Sequence, residues 1–168
     1  MTPETPWFER DLIFGKPKAL LPYFLERLEG ALPRIEYKLK DIPESILSMQ
    51  PMGKWSIKQN IGHLAEVDEI SNKRIDEMLA GISPLSPAVF EPRGDYNIMP
   101  IQEVVQFLSS IRKANLEKYK SLAAADLEKA SLHPRLKIMM TPVDLAWFDA
   151  EHDDHHLVKI NNILKASV

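Results

Sequence analysis

The chain has 168 residues, of which 45% are apolar and 27% charged, with a formal net charge of -3 and no cysteine. These values exclude wholesale disorder, a disulfide framework, a thiolate metal site and a cysteine nucleophile. They also give no electrostatic reason to expect nucleic acid as a partner. A single domain over residues 1–168 is expected, with an N-terminal arm over about residues 1–17.

The opening stretch, MTPETPWFERDLIFGKP, carries acids where a signal peptide needs positive charge, and it lacks a continuous apolar core. No later stretch approaches the roughly 20 apolar residues of a membrane span. A cytoplasmic protein without a membrane partner is therefore expected. The first helical pattern covers about Ala19 to Asp41, with a break or kink predicted at Gly30 to Pro33. The second begins after Ser56, which with Gln59 forms a capping-box pattern, and it stops at Gly81. The third runs from about Pro100 to Leu122, with Pro100 suited to a first turn. The fourth opens on Thr141, Pro142 and Asp144 and continues to about Lys165. Two long connections, Ile82 to Met99 and Ala123 to Met140, are of the kind that form lids or binding loops. Alternating strand patterns are nearly absent, so the expected fold is all-α, a four-helix bundle with long crossover connections.

Three of the five histidines fall within AEHDDHHLVKI, Ala150 to Ile160. With Leu145 set to zero on a helical wheel, His152 falls at about 340° and His156 at about 20°, inside the apolar stripe. His155 lies on the flank, near 280°, while Asp153 and Asp154 turn away. An i, i+4 pair projects both imidazoles from successive turns toward one point, as chelation requires. Each ring also reads as a core histidine satisfied by a hydrogen bond. Two unhydrated rings one turn apart favour a shared cation. On the second helix His63 lies inside the apolar arc, near 240° with Ile57 at zero, and is the candidate third ligand. Three imidazoles leave coordination positions open and suit Zn, Ni or Fe.

Asp149 faces inward and is a candidate general base, or a partner in a buried ion pair. Asp68 and Arg74 read as structural ion-pair residues, and His133, before Pro134, reads as exposed. His152-Asp153-x-x-His156 resembles the zinc-protease pattern with aspartate for glutamate, but the acid is short and no histidine follows.

GKWSIKQNIGHLAEVDE, followed downstream by DLAWFDAEHDDHHLVKI, resembles the DinB-like superfamily, which includes the YfiT-like metal-dependent hydrolases. The HPRL run at His133 to Leu136 is similar to that family's connection before its last long helix. The resemblance implies an up-down-down-up four-helix bundle in which a histidine of the second helix and a later H-x-x-x-H pair bind a divalent metal. His63, His152 and His156 occupy those positions. It further implies either transfer of a low-molecular-weight thiol, such as bacillithiol or mycothiol, to an electrophile, or hydrolysis of a small-molecule substrate. A homodimer is implied as well. In the thiol reading Arg93 is the candidate to hold a carboxylate of the thiol cofactor, and in the hydrolase reading Asp149 is the general base. The competing expectation is a metal-binding or structural bundle without turnover.

Overall fold

Helix caps decide where the long segments begin. Ser56 accepts a hydrogen bond from the Gln59 backbone N–H at 3.1 Å, and the Gln59 side chain accepts from the Ser56 N–H at 2.9 Å. Thr141 and Asp144 repeat this reciprocal arrangement. In the computed structural model, which describes residues 4–167, the helices are α1 (Leu21–Leu39), a single turn α2 (Glu44–Leu47), α3 (Ile57–Leu79), α4 (Ile101–Ser121) and α5 (Pro142–Ala166). A two-residue antiparallel ladder joins β1 (Ser131–Leu132) to β2 (Met139–Met140) in the connection before α5. The chain is thus a four-helix bundle with short additions, and no described helix is long and apolar enough to cross a membrane.

The expected interruption at Gly30 to Pro33 does not break the helix, because α1 runs continuously through Pro33. Pro33 and Glu29 both face solvent, so the carbonyl deprived of its helical donor is free to hydrate. Pro100 serves as the N-cap of α4 rather than its first residue.

Helix α3 packs on α4 and α5, and α1 packs on the same two, so α1 and α3 occupy one diagonal of the bundle and α4 and α5 the other. The connections from α1 to α3 and from α4 to α5 must therefore cross the bundle end. The apolar core falls into two clusters. One is built around Leu28, Met78, Tyr119 and Leu145, the other around Ile35, Ile61, Leu108 and Ile160.

Between the two clusters lies Arg112 of α4, only 3% exposed. Its guanidinium donates to Asp68 of α3 at 2.6 Å, to Asp153 of α5 at 2.7 and 3.0 Å, and to the Leu28 carbonyl of α1 at 2.6 Å. One side chain thus binds all four long helices. Two sequence expectations are corrected here. Arg112, not Arg74, is the partner of Asp68, and Asp153 points inward. The wheel turned Asp153 outward because it treated α5 as having one buried stripe, whereas α1 and α3 both cover this helix.

Gly62 on α3 has a packing role. A β-carbon there would sit 2.4 Å from the Tyr96 ring, which lies on the helix and donates its hydroxyl to Glu66 at 2.5 Å. Gly62→Ala is expected to displace Tyr96 and cost about 1–3 kcal/mol, the usual range for an overpacked site. Urea unfolding checks this, and a variant as stable as the parent would refute the tight contact.

Candidate metal centre

His63 projects from α3, and His152 and His156 from successive turns of α5. One ring nitrogen of each lies within 4.8 Å of the others. The Nε2 atoms of His152 and His156 are 3.1 Å apart. Two nitrogens each about 2.05 Å from one tetrahedral cation are separated by about 3.3 Å, so this pair is already at ligand spacing.

The hydrogen-bond logic fixes one tautomer. The Ser56 carbonyl can only accept, so it takes the Asn60 amide nitrogen, at 2.7 Å. That turns Asn60 Oδ1 toward His156 Nδ1, 2.7 Å away, where only an N–H satisfies it. The lone pair of His156 therefore sits on Nε2 and faces His152. His63 Nδ1 and His152 Nδ1 are buried without a hydrogen-bond partner among the described residues. Burial holds the His63 ring down at about 4 and lowers His152 and His156 well below the ordinary imidazole value. The three rings are thus neutral donors at physiological pH, and the donor set fits a divalent cation.

Aromatic side chains hold the imidazoles in place. Trp55 packs 4.8 Å from the His63 ring and stacks on His156 at 5.9 Å. Trp7, in the N-terminal arm, meets His152 at 5.1 Å and Phe148 at 5.1 Å. The arm is tied down by Arg10, which pairs with Glu151 at 2.9 Å, and by the Gly15 and Lys16 N–H groups, which donate to Asp144. These elements border an open cavity of about 1180 Å³, and the three histidines are part of its lining.

Asn60→Leu removes the acceptor for the His156 Nδ1–H. It is expected to weaken zinc binding about 10–100-fold, the usual cost of losing such an outer partner. Competition with a chromophoric chelator measures the effect, and unchanged affinity would show that Asn60 does not orient His156.

Asp149 also lines the cavity and is 3% exposed. Burial pushes its carboxyl up to about 8, opposed by Ser71 and Arg74, which favours the protonated form. Arg93 is not among the cavity-lining residues. Its guanidinium pairs with Glu69 and lies 3.7 Å from Glu66, while its backbone N–H donates to Glu66 at 2.8 Å, so it braces the Ile82–Met99 connection against α3. His133, expected at the surface, is only 5% exposed and lines the cavity. The β1–β2 hairpin folds it inward, with its backbone N–H donating to the Ile138 carbonyl at 2.8 Å. His155 is half-buried beside Trp7 and stands outside the three-histidine group. Sequence reasoning missed Asn60, although it lies near 300° on the α3 wheel, well inside the apolar arc.

A family model for the DinB superfamily matches residues 27–160. Among solved structures, YfiT from Bacillus subtilis, described as "a probable metal-dependent hydrolase with an unusual four-helix bundle topology", superposes with a TM-score of 0.79 at 17% identity, covering 98% of this chain and 93% of that one. TT2238, a four-helix bundle protein, gives 0.66 at 19% identity, covering 84% of this chain and 98% of its own. A protein from Streptococcus pneumoniae gives 0.67 at 11% identity, covering 90% and 92%. A comparison with curated proteins gives no match.

Proposed function

We propose, on the premise that this chain belongs to the DinB superfamily, that it is a divalent-metal-dependent enzyme with His63, His152 and His156 as the metal ligands. The observation that carries this reading is the convergence of three neutral imidazoles, with donor nitrogens within 4.8 Å, on the wall of a cavity large enough for a small-molecule substrate. When bound, the cation supplies Lewis acidity, which makes a coordinated water or small thiol acidic enough to act as a nucleophile near neutral pH. Zn, Ni and Fe all suit an imidazole set.

The protein's own groups do the rest. Asn60 orients His156 so that its lone pair faces the site. Trp55 and Trp7 hold the rings and line the cavity with apolar surface, which strengthens electrostatic interactions within it. Asp149, whose carboxyl burial raises to about 8, is the candidate to deliver a proton to a leaving group. Hydrolysis is the first choice of reaction, supported by the description of YfiT; transfer of a low-molecular-weight thiol uses the same site with sulfur in place of oxygen.

The test is an assay of zinc-, nickel- and iron-loaded protein in two formats. One follows hydrolysis of activated esters and amides, the other consumption of 1-chloro-2,4-dinitrobenzene with cysteine as the thiol. Metal-dependent turnover that disappears in His156→Ala is the expected outcome. Absence of turnover in both formats, from protein shown to hold metal, would favour a bundle that binds metal without catalysis.

A further inference from the structure

Two buried arginines differ in a telling way. Arg112, 3% exposed, is neutralised by Asp68 and Asp153. Arg74 of α3, 4% exposed, has no carboxylate at ion-pair distance among the described residues. Glu77, within one turn of it, spends both oxygens on Ser86, accepting from the backbone N–H at 2.8 Å and the hydroxyl at 2.5 Å. Asp149 and Glu77 both act on Arg74 through space only, from beyond pairing distance. A buried guanidinium without a carboxylate in direct contact is costly, and here it borders a cavity.

Its geometry is specific. Nε and Nη2 both donate to the Ser86 carbonyl, at 3.1 and 3.0 Å. That occupies one edge of the guanidinium and leaves the Nη1/Nη2 edge, which matches a carboxylate bidentately, without a described partner. His133 adds a third donor. Its Nδ1 accepts from the Arg135 and Leu136 backbone N–H groups at 3.3 and 3.1 Å, so its proton must sit on Nε2, which has no described partner. Burial, with Arg74 and Arg135 adding to it, holds this ring at about 4, so it is a neutral donor within electrostatic reach of Arg74. Both side chains line the cavity that holds the three histidines.

We propose that Arg74 and His133 form an oxyanion-binding subsite, and that the molecule processed in this cavity carries a carboxylate that docks there. The placing of its reacting end at the three histidines rests on the metal reading; the subsite itself does not. Arg135 is a different kind of cation. It is exposed at the rim, with its guanidinium 3.7 Å from the Phe8 ring and 4.5 Å from Phe90.

Phenylacetate and its uncharged analogue phenylacetamide suit an aromatic-walled cavity and isolate the charge. Binding of each is measured by calorimetry on the full chain, both metal-loaded and after chelation. The acid is expected to bind about tenfold or more tightly than the amide in both states. Arg74→Gln and His133→Gln are expected to erase that preference without weakening the amide, while Arg135→Gln keeps it. Circular dichroism shows that each variant is folded, and either informative variant suffices if the other is not. Equal binding of acid and amide by the parent would overturn the subsite. So would a preference that survives both informative substitutions, one lost only in Arg135→Gln, or one that disappears on chelation. Because the chelated arm needs no metal, failure of the metal reading leaves this result standing.

Discussion

His63→Ala, His152→Ala and His156→Ala are each expected to reduce bound divalent metal from about one equivalent per chain to background, as befits the loss of one ligand in three. His155→Ala is expected to leave it unchanged. The loss should exceed the roughly 100-fold upper range for an outer partner, because a three-nitrogen shell cut to two no longer encloses the cation. Plasma mass spectrometry on tag-free protein, before and after incubation with Zn, Ni or Fe, is the measurement. The helical fold should survive, since both apolar clusters are built without the three rings. Chelation should lower stability, read as a fall in melting temperature, only by the linkage contribution, about 2.7 kcal/mol when free metal stands at 100 times the dissociation constant. Metal should also be retained to a lower pH than free imidazole would allow, because burial holds these rings neutral until the solution is well acid. Metal-free preparations that stay metal-free after incubation would reduce the cluster to three core histidines.

The helices and two of their caps were legible because each depends on residues close in sequence. Ser56 with Gln59 and Thr141 with Asp144 set helix starts within a single turn. The three histidines were legible for a related reason: each lies on the inward side of its own helix, and a bundle has one interior for such faces to share. Arg112 was harder. It continues the Val104–Leu108 stripe at a spacing of four residues, so its burial was readable, but its partners depend on the register between four helices, and no periodicity encodes that register. His133 and Arg93 exchanged places relative to expectation because both lie in connections. There, burial is decided by how a hairpin or loop settles on the bundle, and a lone cation or imidazole carries no pattern to announce it.

Arg112→Met is expected to be the most destabilising single substitution in the bundle, at about 3–5 kcal/mol, because it leaves Asp68 and Asp153 buried without their cation. The size should depend on pH, with a definite sign. Burial already raises both carboxyls above the ordinary aspartate value, and the Arg112 charge pulls them back down. Without that charge both rise further, so the folded variant binds protons more tightly than the unfolded chain. The stabilisation gained by protonation is complete below the unfolded aspartate value, about 3.9, and is lost as pH climbs through the raised folded values. The deficit of Arg112→Met relative to the parent should therefore be smaller at pH 5 than at pH 8 in urea unfolding. Replacing the whole group, Arg112→Met with Asp68→Leu and Asp153→Leu, should recover most of the loss and flatten the pH profile, since apolar residues of similar size carry no desolvation penalty. A deficit below about 1 kcal/mol at pH 8, within the range of surface ion pairs, would mean that the four helices do not depend on this arginine. The two apolar clusters would then have to be sufficient on their own to hold α5, and with it His152 and His156, in register with His63 on α3.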